Sequence, residues 1–213
     1  FFGMKLSLSL PILAFATFSA RSAFGFGGRS NFTVRRASAF SRNMGLLDSL
    51  FGGEKSSYPA PAVMGDESLM SPKAHGTSSV PVKADLRWSC DRETADRICN
   101  FNRHYAEHAG YWEQTDFLSE EKGDSEVNFY DSNTGKLLFT APRGRSWDDF
   151  VRESRSHGWP SFRDAEANWE YVRVLPGGEA VSVDGTHLGH NLPDGKGNRY
   201  CINLVSVAAK GDE

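Results

Sequence analysis

The sequence predicts a mainly β (α+β) fold, antiparallel, with its helices gathered at the N-terminal end of the folded part. Two observations carry this. From about residue 126 onward, apolar runs of strand length alternate with clusters of Gly, Pro, Asn and Asp. Sustained spacing of apolar residues at three and four positions occurs mainly upstream of that point.

In chain order, Asp91 to His108 places Ala95, Ile98, Phe101 or Asn102, and Tyr105 on one helical face, with Asp91 available as N-cap and Cys99 carried along. Glu126 to Tyr130, a turn through Asp131, Ser132, Asn133, Thr134 and Gly135, and the run from Lys136 to Thr140 read as a hairpin. Ser146 followed by Asp149 resembles a capping box and opens a short helix with Trp147, Phe150 and Val151. Strands then follow over Asn168 to Leu175, Glu179 to Val183 and Arg199 to Ala208, the first two joined by a turn at Pro176, Gly177 and Gly178. No internal repeat interrupts the series.

Upstream of this region the composition changes. Met4, Lys5 and the apolar stretch Leu6 to Phe18 have the anatomy of a secretory signal, assigned to residues 4–23, with 1–3 as upstream residues. Residues 24–43 lack acids and carry Arg29, Arg35, Arg36 and Arg42 among Ser, Gly and Phe, the character of an organelle transit peptide. Together they resemble the two-part presequence that directs proteins into complex plastids, which makes the plastid stroma the expected destination and secretion the alternative. Residues 44–83, with a small apolar patch at Gly45 to Gly53 and then much Pro, Ser and Gly, read as a disordered linker, leaving 84–209 as the domain.

A formal net charge of -3 offers no basic field for nucleic acid. The longest apolar run falls short of the roughly 20 residues a bilayer crossing needs, so no membrane is expected for the mature protein. Three cysteines, Cys90, Cys99 and Cys201, are too few for a disulfide framework, which favours redox or catalytic use. A buried free thiol is the competing reading for Cys90 and Cys99.

Three strings follow in order: Gly158-Trp159-Pro160-Ser161-Phe162, His187-Leu188-Gly189-His190, and Arg199-Tyr200-Cys201-Ile202-Asn203, with Asp194-Gly195 between the last two. They resemble the hallmarks of the B-type methionine sulfoxide reductases over about residues 86–208. The resemblance implies an antiparallel two-sheet β core and reduction of the R-sulfoxide of methionine, within proteins, by a monomeric enzyme that needs no cofactor beyond a thiol reductant such as thioredoxin, glutaredoxin or glutathione.

The residues suit that chemistry. Cys201 supplies a thiol nucleophile. Arg199, two positions earlier on an extended strand, shares a face with Cys201 and Asn203 and can contribute positive charge. His187 and His190 can carry a proton near neutrality, His190 as donor and His187 in support. Trp159 and Phe162 offer an apolar wall for the methyl group. By resemblance, Asp194 holds Arg199 in an ion pair.

Two departures stand out. Many relatives bind a structural zinc through two cysteine pairs, and here Asp131, Thr134, Val181 and Asp184 stand at those positions, so zinc is expected to be absent. The usual resolving cysteine before the first string is His157, which leaves Cys99 or Cys90, or direct reduction by an external thiol. Two rival functions use the same residues: a binding or redox-sensing module that does not turn over, and a metal site built from His187, His190 and Cys201.

Overall fold

The computed structural model describes residues 61–123 and 125–211. The signal, the transit segment, the Gly45–Gly53 patch and the linker up to residue 60 lie outside the described residues. Among those described, no helix is long and apolar enough to cross a membrane.

Two antiparallel sheets form the core, as the resemblance implies. The smaller is a hairpin of β1 (Val127–Tyr130) and β2 (Leu137–Ala141). The larger has five strands: β3 (Ser161–Phe162), β4 (Val172–Val174), β5 (Glu179–Ser182), β6 (His187–Asn191) and β7 (Tyr200–Ile202), in the order β3-β7-β6-β5-β4. Helices are few: α1 (Arg92–Asp96), α2 (Phe117–Glu120) and α3 (Trp147–His157), the last opened by the Ser146–Asp149 capping box. Phe162 packs at the centre of an aromatic cluster, stacked on Phe139 at 4.4 Å and edge-on to Phe129 at 4.9 Å. It is wholly buried, and truncation of such a ring costs about 3–5 kcal/mol.

Three expectations need correction. The helix predicted over Asp91–His108 is half as long: α1 passes into a π turn at Arg97–Phe101, and Asn102 ends it in an extended conformation. Leaving the helix here frees Arg103 to pair with Glu179 on β5. The disordered linker is incorrect over 61–83, where a 3-10 turn at Glu67–Met70 docks against the five-stranded sheet, Gly65 N–H donating to the Val174 carbonyl at 2.9 Å and Met70 buried. Pro, Ser and Gly rule out long regular elements, yet leave single strand-like bridges such as Met64 with Val174 open to the chain. Finally, the strand expected over Arg199–Ala208 is short, β7 giving way to a 3-10 turn at Leu204–Ser206, while β6 forms where no strand is expected, because its histidines and glycine lack the alternation of a strand.

The β1–β2 turn, with Asp131 and Thr134, and the β5–β6 turn, with Asp184, are joined directly. Buried Asp131, at the β1–β2 turn, accepts from Thr186 Oγ1 at 2.9 and 3.0 Å, and Lys136 Nζ pairs with Asp184 at 2.8 Å. Val181 is fully buried.

Candidate functional site

The register of the large sheet assembles the site. On β7, Cys201 lies opposite Ser161 of β3 on one side and His190 of β6 on the other, and His190 in turn lies opposite Glu179 of β5. Residues paired across antiparallel strands share a face, so these four form one row. His187, three positions from His190, would face away in a regular strand. The register shift between Ala180 and Val181 absorbs Leu188 as an extra residue and sets His187 opposite Val181, which returns it to the same side. Gly189 permits the close approach, since a Cβ there would meet the Cys201 carbonyl oxygen at 2.0 Å.

Cys201 is half-buried at a cavity of about 230 Å³, lined also by Trp159, His187, His190, Asn203, Leu192 and the segment from Arg103 to Ala106. Arg199 Nη1 donates to Cys201 Sγ at 2.6 Å, and Ser161 Oγ lies 3.9 Å from the same sulfur. A guanidinium in that position stabilises negative charge on sulfur. Arg199 Nε stands 3.4 Å from Asp194 but makes no hydrogen bond. The main partner of Asp194 is Arg163, which donates to both its oxygens at 3.0 and 2.8 Å and holds its carboxyl well below the usual range. Asp194 is thus a brace shared between two arginines, and Arg163 went unnoticed in the sequence.

The histidines have unequal surroundings. Buried His187 bonds through Nδ1 to Glu179 Oε1 at 2.7 Å, and Glu179 is gripped by Arg103. Burial alone would raise the Glu179 carboxyl, but the bonds from His187 and Arg103 outweigh it and lower it. His190 is half-exposed, and burial followed by the neighbouring His187 pushes its imidazole below the ordinary value. Glu179 and Arg103 were missed because a charged residue on a strand edge or loop ordinarily reads as solvated.

The remaining candidates divide. Trp159 lines the cavity and its indole N–H donates to the Glu107 carbonyl at 3.1 Å. Asn203 lines it too, but its amide is spent on backbone: Oδ1 accepts from Glu107 N–H at 3.0 Å and Nδ2 donates to the Leu188 carbonyl at 3.0 Å. Phe162, expected in the methyl wall, does not line the cavity; its ring is committed to the core. Neither Cys90 nor Cys99 reaches the cavity. Both are buried, and burial pushes both thiols far up.

A larger cleft of about 940 Å³ lies beside Asp194, lined by Arg145, Glu153, His157, Arg163 and Lys196 among others. Its charges largely satisfy one another, as in the Arg145–Glu153 pair at 2.5 Å, and no cysteine lines it. Glu153, His157 and Asp194 there are the one His, Cys, Asp or Glu trio among the described residues whose ligand atoms converge within 4.8 Å. His187, His190 and Cys201 do not converge in this way, which weighs against a metal site built from them.

No family model matches the chain. A peptide methionine sulfoxide reductase MsrB of Alteromonas mediterranea is 39% identical over 66 residues, covering 26% of this chain and 46% of that protein. The chain is similar to a methionine sulfoxide reductase. The likeness to MsrB spans less than half of that relative's length, and the mostly β architecture with two antiparallel sheets is consistent with an MsrB-like fold.

Proposed function

We propose that this chain reduces methionine-R-sulfoxide, within proteins, to methionine, with Cys201 as nucleophile. The observation that carries this reading is Cys201 lining a partly apolar cavity with a guanidinium on its sulfur at 2.6 Å and His190 in register on the next strand. The Cys201 thiolate attacks the sulfoxide sulfur while an imidazolium, His190 in this reading, protonates the sulfoxide oxygen. As the S–O bond breaks, the oxygen passes to Cys201 as a sulfenic acid and methionine leaves; one sulfur gains the two electrons the other loses. Trp159 offers its face to the methyl group, and His187, held by Glu179, supports His190.

Two equivalents of an external thiol complete the cycle, the first forming a mixed disulfide with release of water and the second regenerating the Cys201 thiol. Thioredoxin, glutaredoxin or glutathione are the proposed donors; the burial of Cys90 and Cys99 favours this over an internal partner. Asp131 with Thr186 and Lys136 with Asp184 are proposed to do without zinc what the metal does in other members. The plastid as the place of action rests on the presequence pattern alone.

The test is a racemic methionine sulfoxide peptide incubated with the full chain and dithiothreitol, beside Cys201→Ser, with the epimers resolved by chromatography. Loss of the R epimer alone, absent in the variant, is the expected result. No loss of either epimer would overturn the reading in favour of a module that binds or senses without turnover.

A further inference from the structure

Beneath the cavity wall lies a carboxyl that the reaction above does not use. Glu107 is 3% exposed. Its Oε1 accepts from Val205 N–H at 2.6 Å, while Oε2 is buried with no hydrogen-bond partner among the described residues. Its backbone ties two cavity residues together: the N–H donates to Asn203 Oδ1 at 3.0 Å and the carbonyl accepts the Trp159 indole N–H at 3.1 Å. Val205 lies two residues beyond Asn203, so the carboxyl and the backbone of Glu107 clamp the same stretch of chain from two points.

We propose that Glu107 is a positioning residue for this cavity, setting Asn203 and Trp159 from below, and that it does so as the neutral acid. The inference rests on the reductase reading for its activity readout. An unpartnered carboxylate oxygen is costly to bury, whereas a protonated carboxyl leaves its acceptor bond to Val205 intact and removes the charge. Cys90, Cys99 and Tyr111 face it, and among the described residues no cation lowers its carboxyl. Burial accordingly pushes the Glu107 carboxyl up to about 7, against the nearby backbone N–H groups of Val205 and Leu204, which lower it.

A carboxyl raised in the folded state above its ordinary 4.5 contributes fully below about pH 4.5, and that contribution is lost as pH rises through about 7. Ionisation in the folded protein would then loosen the clamp on Asn203 and Trp159.

Glu107→Gln keeps the shape and removes the titration; Glu107→Ala removes the clamp. In the full chain, the melting temperature of Glu107→Gln minus that of the unsubstituted protein should increase between pH 5 and pH 7 and then level off. The ratio of kcat of the unsubstituted protein to kcat of Glu107→Gln on the R-sulfoxide peptide should fall by about threefold or more between pH 6 and pH 8, a ratio in which titrations common to both cancel. Glu107→Ala should lose about tenfold in kcat/KM at pH 6 while Glu107→Gln stays within about twofold. A melting difference that does not change with pH would overturn the neutral acid, and a pH-independent kcat ratio would overturn the positioning role. Should the unsubstituted protein reduce neither epimer, the reductase reading fails by itself, and the melting arm still decides on the buried acid.

Discussion

Cys201 and Cys99 are the same side chain in two regions that treat it in opposite ways. Cys201 sits on β7, half-buried at a cavity, with Arg199 Nη1 on its sulfur at 2.6 Å. Cys99 sits in the π turn after α1, fully buried, its thiol donating to the Ser206 hydroxyl at 3.5 Å, and burial pushes that thiol far up. The difference lies in access and in a neighbouring cation, so a count of cysteines says little about reactivity until each has a place.

The largest effect expected from this contrast is on turnover. Cys201→Ser should reduce peptide sulfoxide reduction by at least about a thousandfold, while Cys99→Ser and Cys90→Ser keep it within about threefold with dithiothreitol as donor, measured by epimer-resolved chromatography. Next, Arg199→Met should slow both turnover and alkylation of Cys201 by iodoacetamide by about 10- to 100-fold at pH 7, followed by peptide mass spectrometry. Equal alkylation of Cys99 and Cys201 in the native protein would erase the contrast.

A smaller effect belongs to pH. A donor must be protonated to act, and His190 is held below the ordinary histidine value by burial and by His187. The kcat/KM profile should therefore lose activity as pH rises through a value below 6.5, and His190→Gln should flatten that limb at reduced rate. Smallest is the structural role of the buried thiol: Cys99→Ala should cost about 1–2 kcal/mol in urea denaturation, the scale for losing a small buried group.

Much of this site was legible in the sequence because strands are short-range objects. Period-two spacing placed Arg199 beside Cys201, and the capping box opened α3 where expected. What was not legible depended on register and on long-range pairing. The bulge that turns His187 toward His190 exists only once β6 has paired with β5. Arg103 reaches Glu179 across 76 residues of sequence, and Glu107 looked like one charge in a polar stretch until Asn203, Trp159 and Val205 closed over it. The helix prediction overran because its periodic positions continue to Tyr105, which is exposed in the fold. Phe162 was placed at the wall by its neighbours in the string, but its side chain points into the core, where Phe139 and Phe129 take it.

The most direct test of the central claim is a single turnover without reductant. The protein is mixed with one equivalent of methionine-R-sulfoxide peptide, quenched with dimedone and digested for mass spectrometry. One equivalent of reduced peptide together with a dimedone adduct on Cys201, and none on Cys90 or Cys99, is the predicted result; reduced peptide with no adduct on Cys201, or no reduced peptide at all, would contradict it.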